Sequence, residues 1–176
     1  MSKTTRALTV GALLIAIDII CARFLFFYTP GNIDRISPQF IPNALAGAFF
    51  GPLWATLVCA AGDLLGMFTN PAGLMFNPFF TLSAAIRGLI YGFILGRRAP
   101  SVLRCVVAIA IVTAIVDLTL NSIWLALMYD HAFLVTLWAK VPIRLVTIPV
   151  YGGALFAVQK SLSTAGLLPG REAGKI

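Results

Sequence analysis

The stretch that most constrains this chain is residues 78–96, PFFTLSAAIRGLIYGFILG. It is apolar enough to cross a bilayer, whose ~30 Å hydrocarbon core is matched by about 20 residues of helix. Arg87 lies near its middle. A guanidinium at that depth costs at least ~2.5–3.5 kcal/mol unless it meets a carboxylate, a carbonyl or a wet cavity, so a partner or a ligand is expected. Gly88, Gly92 and Gly96 recur every four residues, with Ala84 and Ala85 one turn earlier. That side of the helix admits another backbone at close range. Arg97-Arg98 then stops the span and marks the cytoplasmic side.

The rest of the chain agrees with a membrane setting. Of its 176 residues 60% are hydrophobic and 11% charged, too little polar surface to cover a soluble globule. One integral membrane domain spanning residues 1–176 is expected. The net charge of +7 does not indicate nucleic acid, because the basic residues gather at membrane boundaries. Cys21, Cys59 and Cys105 each sit in an apolar segment without metal-ligand spacing and read as inert core thiols. The basic, apolar N-terminus imitates a signal peptide but runs on without an A-x-A cleavage site, so it reads as a first span that stays.

Breaks at Pro30-Gly31, Gly51-Pro52, Asn70–Gly73, Pro100 and Tyr129–Thr136 divide the chain into spans at about 7–28, 38–50, 53–70, 78–96, 102–128 and 137–160. The second is short, either tilted or crossing only in part. Lys3, Arg6, Arg97, Arg98, Arg104, Lys160, Arg171 and Lys175 fall on one side of this arrangement, and Arg35 alone lies in a loop on the other. The asymmetry predicts an all-α protein of six transmembrane helices with both termini in the cytoplasm.

Seven charged residues fall within the spans: Asp18, Arg23, Asp63, Arg87, Asp117, Lys140 and Arg144. Some neutralise one another, and Asp63 with Arg87 is the candidate buried structural pair. The excess cation has no intramembrane acid left to meet and calls for an anionic ligand. Asp117, Asn121 and Trp124 follow at i, i+4 and i+7, which puts a carboxylate, an amide and an indole on one helical face. Lys140, Arg144, Thr147 and Tyr151 form a similar stripe. Phe76, Phe79 and Phe80 cap the outer end of the fourth span, and Phe24, Phe26, Phe27 and Tyr28 that of the first. Aromatics at this level commonly belong to the interfacial belt, but here they surround the polar stripes. Flat rings, an amide and guanidinium groups suit a planar heteroaromatic acid, held in a pocket open to the outside between spans one, four, five and six. Two strips of small residues, Ala12 with Ala16 and Gly62 with Gly66, favour close helix contacts, and for the glycines internal packing is the preferred reading.

Several chemistries are excluded. No phosphate-binding G-x-x-x-x-G-K-[ST] occurs, and the tail GREAGK has the wrong spacing. His131 is the sole histidine, which removes a His-rich metal site. Neither G-x-S-x-G nor a Ser/His/Asp arrangement is present, so no enzyme activity, metal or cofactor is expected.

The segments RFLFF (23–27), QFIPNALAGAFFGPLWATLVCAAGDLLG (39–66), FNPFFTLSAAIRGLIYG (76–92), LTLNSIWLALMY (118–129) and PIRLVTIPV (142–150) resemble the folate-specific substrate-binding (S) components of energy-coupling factor (ECF) transporters. The resemblance covers residues 8–160, with GPLWA, GDLLG and FTLSAAIRGLIYG its most distinctive parts. It implies a six-helix protein of the bacterial plasma membrane that captures folate on the outer side. Such a protein works with a separate transmembrane coupling subunit and two ATPases. In the family an A-x-x-x-A strip on the first helix contacts the coupling subunit, and Ala12 and Ala16 match it. A pterin would stack on Trp124 or on Phe76 and Phe79, and hydrogen-bond Asn121 and a carboxylate such as Asp117 or Asp63. The dianionic glutamyl tail would meet Arg144, Lys140 or Arg35, with Arg87 and Arg23 as further candidates. Arg23 lies about 20° from Ala12 around an ideal helix, so it either requires a bend or serves a loop instead of the pocket. Alternatives are an S component for riboflavin or thiamin, or a small membrane enzyme of lipid or prenyl phosphates. A cationic vitamin suits the surplus cations poorly, and the enzyme would need acidic DxxD-type ligands that are absent. A purely structural partner would not require the polar stripes.

Overall fold

The computed structural model describes residues 3–29, 34–69, 77–129 and 133–168. Among these, helix α1 (Lys3–Arg23) leads into a two-stranded antiparallel ribbon, β1 (Phe27–Tyr28) paired with β2 (Arg35–Ile36). Helices α2 (Phe40–Phe50), α3 (Pro52–Thr69) and α4 (Pro78–Leu95) follow. A continuous rod then comprises α5 (Val102–Val112), a π-helical segment (Thr113–Leu120) and α6 (Asn121–Tyr129), before the long α7 (Phe133–Thr164). The described residues thus form six helical rods.

The first helix ends earlier than the expected 7–28. The amides of Phe24 and Leu25 both close on the Ile20 carbonyl, and the aromatic run that follows turns into the ribbon, where extended backbone suits Phe27 and Tyr28. The last helix overruns its expected bounds of 137–160 at both ends and carries Pro142 and Pro149 internally. Among the described residues, four helical stretches are long and apolar enough to cross a membrane: Pro52–Thr69, Pro78–Leu95, Val102–Leu127 and Lys140–Thr164. Helix α2, with 11 residues, reaches only about 16 Å at 1.5 Å per residue. It lies inside the bundle, and Pro42 to Ala48 are all buried.

Small residues set the packing. Antiparallel α3 and α4 press together where Gly88 and Gly92 face Ala55 and Pro52, and a Cβ on either glycine would collide with that backbone. Gly47 of α2 meets the backbone of Tyr91 and Gly92 in the same way, and Gly62 and Gly66 receive Asp18 and Arg23 of α1. Internal packing is therefore the role of these glycines. Asn77 caps α4, its side chain accepting from the Phe79 amide at 2.9 Å, with Pro78 in the first turn where its missing N–H is harmless. At the other end the Arg97 amide donates to the Ala48 carbonyl at 3.2 Å, fastening α4 to α2. Two apolar cores result: α2, α4, α5 and α7 meet around Tyr91, Ile109 and Leu155, and α1, α2 and α3 around Leu14, Leu45 and Val58. Large apolar side chains cover the perimeter, including Leu13, Leu57, Phe93 and Leu145, while most intramembrane charges point inward. That inversion is what hydrocarbon demands of a bundle carrying charge.

Candidate functional site

Six of the seven intramembrane charges line a cavity of about 320 Å³ at one end of the bundle, and the seventh, Asp18, is buried apart from it against Gly62 of α3. Exposed Arg97, Arg98, Arg104 and Lys160 lie toward the opposite end. The last turn of α1 contributes Arg23, the ribbon and its flanks Tyr28, Asp34, Arg35 and Ser37, and the start of α2 Gln39 and Phe40. Helix α3 adds Asp63 and Met67, and α4 adds Phe80, Ser83, Arg87 and Tyr91. Asp117, Asn121 and Leu125 come from the π segment and α6, and Lys140, Arg144 and Tyr151 from α7. Spans two and three therefore join the four expected to build the pocket.

Arg87 and Asp63 do not pair with each other. Gly88 stands level with Ala55 and Cys59, so Asp63, one turn further along α3, lies beyond Arg87's level. Asp63 instead accepts from Thr81 Oγ1 at 2.9 Å and faces Arg23 at 3.4 Å. Arg87 reaches Asp117 at 3.1 Å. The second oxygen of Asp117 meets Arg144 Nη1 at 3.2 Å, so one carboxylate bridges α4 and α7. Arg144 also grips Asp34, with Nε to Oδ2 at 2.7 Å and Nη2 donating to Oδ1 at 2.9 Å.

Arg23 is 4% exposed and belongs to the cavity, which answers the geometric tension raised by its register with Ala12. It is the last residue of α1, and the missing side chain of Gly66 leaves room for its guanidinium. Ala12 and Ala16 are exposed on the outside of the same helix.

Two cations are left over. Lys140, 4% exposed, forms no ion pair with any described carboxylate, and Arg35 sits over the Phe26 ring at 5.0 Å with Nη1 buried and unpartnered. Burial and the nearby Arg23 guanidinium both pull the Arg35 pKa down, yet arginine at so high a starting value remains charged. Among described residues the cavity holds five bases, Arg23, Arg35, Arg87, Lys140 and Arg144, against three acids, Asp34, Asp63 and Asp117.

The polar stripe of the fifth span is met only in part. Asp117 and Asn121 line the cavity, Asn121 Nδ2 lies 3.5 Å from Asp117, and its Oδ1 is buried without a partner and aimed at no described donor. Trp124 does not line it. Its Nε1 donates to Ser83 Oγ at 3.0 Å, and its ring stacks on Phe79 at 4.4 Å. The reason is the π segment, whose wider i to i+5 winding carries Trp124 off the stripe that ideal helical spacing predicts. Phe79 likewise stands beside the cavity, and Phe80 is the lining ring. Phe76 lies outside the described residues. Thr147 turns back to the Arg144 carbonyl at 3.3 Å, whereas Tyr151, stacked on Phe40 at 4.1 Å, does line the site.

Sequence reasoning missed Asp34, Ser37, Gln39, Ser83 and Tyr91. Asp34 alone had a signal, as an acid beside a basic residue in a short outer loop.

A cavity of this size, lined by aromatic rings and fixed charges at the end of a helical membrane bundle, has the character of a small-molecule binding site. The family model for the substrate-specific component of ECF transporters matches residues 6–159, and the chain belongs to that family. It is 36% identical over 158 residues to the folate transporter FolT of Clostridium novyi (strain NT), covering 90% of each chain. It is 32% identical to the folate transporter FolT of Leuconostoc mesenteroides, covering 85% of this chain and 82% of that one. Its fold matches the crystal structure of FolT bound with folic acid with a TM-score of 0.81 at 29% identity, covering 89% of this chain and 94% of that one. The S component for biotin from an ECF-type transporter shares the fold at 17% identity, with a TM-score of 0.65 over 93% of this chain and 95% of that one.

Proposed function

We propose that this chain is the folate-capturing component of an ECF importer, binding its ligand without chemical change at the cavity end of the bundle. The observation that carries the reading is the pair of surplus cations, buried Lys140 and half-buried Arg35, in a cavity whose other described charges are matched. A folate-type ligand supplies what they lack, since its glutamyl tail carries two carboxylates and its pterin is flat. In this reading the tail meets Lys140, Arg35 and Arg144, with charge-assisted hydrogen bonds from arginine suited to carboxylate geometry. The pterin lies deeper, against Phe80 and Tyr91, within reach of Asn121 Oδ1 and of the Asp63 or Asp117 carboxylates. Trp124 and Phe79 act from behind, holding Ser83 and the outer end of α4.

The cavity end faces outward and both termini face the cytoplasm, because Arg97, Arg98, Arg104 and Lys160 crowd the other end, as inside-positive bundles do. Uptake in this reading uses an ATP-driven coupling module of a transmembrane subunit and two ATPases, which membership of the ECF substrate-specific family supports. The exposed Ala12 and Ala16 are the proposed contact with the transmembrane subunit, a flat small-residue strip open to another helix.

Calorimetric titration of the detergent-purified chain against folate, riboflavin, thiamin and biotin tests the assignment. Saturable binding of folate alone at 1:1 is the expected outcome. A preference for another vitamin, or no folate binding, would overturn it.

A further inference from the structure

One carboxylate in the cavity is on a segment unlike the others. Asp63 and Asp117 are fixed on long helices, whereas Asp34 lies outside any helix, immediately before the two-residue strand β2. Its side chain holds Arg144 by one hydrogen bond, Nη2 to Oδ1 at 2.9 Å, and a close ionic contact of Nε with Oδ2 at 2.7 Å, across 110 positions of sequence. Its backbone is held separately: the Asp34 amide donates to Thr29 Oγ1 at 2.9 Å, and the Thr29 amide donates to the Asp34 carbonyl at 2.9 Å. The side chain has a local bond of its own, Oδ1 accepting from the Arg35 amide at 2.9 Å, so rotating away from Arg144 gives up that contact but leaves the Thr29–Asp34 backbone bonds of the loop in place.

The neighbourhood of Asp34 is the cationic corner of the cavity, with Arg35 next in sequence and Lys140 on α7, neither paired with a described carboxylate. A carboxylate held against the Nε and Nη2 side of Arg144 occupies the edge of the guanidinium that an incoming carboxylate would use. Arg144 already meets both Asp34 and Asp117, so a ligand carboxylate would be a third anion at one buried guanidinium, and Asp34, whose side chain can rotate away while its backbone stays bonded, gives way.

We propose that Asp34 is a resident surrogate for the ligand's carboxylate. In the empty protein it neutralises Arg144, and a carboxylate of the bound ligand takes its place while Asp34 swings aside. The inference rests on the folate reading of the site and adds to it a positioning residue that tunes entry and retention of anionic ligands. It also keeps the buried charges matched while the cavity is empty, since without Asp34 both Arg87 and Arg144 would depend on the single Asp117 carboxylate.

The test is a pair of titrations of the full chain in detergent, with folate and with 6-hydroxymethylpterin, an uncharged pterin. Asp34→Asn removes the competitor but keeps the side chain's shape. It is expected to bind folate about tenfold more tightly with a faster association rate, and to bind the neutral pterin within twofold of wild type. Asp34→Glu, which restores a carboxylate, is expected to return folate affinity towards the wild-type value. Folate affinity unchanged or weakened in Asp34→Asn, or an equal gain for both ligands, would overturn the exchange. Should Asp34→Asn accumulate poorly, wild type and Asp34→Glu are compared by folate-induced thermal stabilisation. The longer, less well-seated carboxylate is expected to compete less and give the larger stabilisation, and a smaller or equal one counts against the exchange. Wild type that binds no folate would sink the reading of the site itself, whereas folate binding with an unresponsive Asp34→Asn would sink only the exchange.

Discussion

Arg144 touches carboxylates on two different segments, Asp34 and Asp117, so removing it acts on the empty protein and on ligand capture together. Arg144→Ala is expected to weaken folate binding by about 2–5 kcal/mol, the range for truncating one partner of a buried charge pair, as read by calorimetry. Asp117 presents the opposite problem, because its loss strands Arg87 and leaves Arg144 with Asp34 alone. Asp117→Ala should lower unfolding stability in detergent by about 3–5 kcal/mol, a larger penalty than an exposed charge would give, measured by thermal unfolding without ligand. The existence of a charged interior was legible residue by residue, since seven ionisable groups stood where hydrocarbon was expected. Who pairs with whom was not. Pairing depends on how far α3 and α4 slide past each other, which Gly88 against Ala55 decides, and no spacing within one segment contains that information. Asp34 escaped for a similar reason: its partner is 110 positions away, and a loop acid looks like solvent-facing charge until the ribbon folds it inward.

Helix register depends on small residues at the α3/α4 contact and on the π segment. Gly92→Val would drive a branched side chain into Pro52 and the Gly51 carbonyl carbon, so a loss of about 1–3 kcal/mol in stability is expected, the usual cost of overpacking. Gly153→Ala is the matching control, because nothing lies within 4 Å of a Cβ there and removing a helical glycine should be neutral or stabilising by up to about 1 kcal/mol. Equal damage from both substitutions would contradict the packing described. Apolar runs and their Gly/Pro breaks exposed the helices themselves, and the bounds of α3, α4 and the α5–α6 rod lie within a residue or so of those expected. The π segment left no such trace. Its composition, TAIVDLTL, is that of any apolar helix, yet its winding moves Trp124 from the cavity wall to a stacking position on Phe79.

The whole molecule combines an outward apolar perimeter, a charged cavity at one end and a bare alanine strip on α1. These should be separable. Ala12→Trp with Ala16→Trp fills the strip without touching the cavity, so folate affinity in detergent should stay within twofold while co-purification with the coupling subunit and folate uptake are lost. Loss of folate binding in that variant would mean that strip and cavity are not independent surfaces. The central claim, that a buried surplus of cations is completed by the ligand's negative charge, is tested most directly at Lys140. It is buried, lines the cavity and is not paired with any described carboxylate, so replacing it leaves no stranded acid behind. The measurement is the ratio of folate affinity to 6-hydroxymethylpterin affinity in wild type and in Lys140→Met. The ratio is predicted to fall at least tenfold, through folate alone. An unchanged ratio, whether both affinities hold or both drop together, would contradict the account.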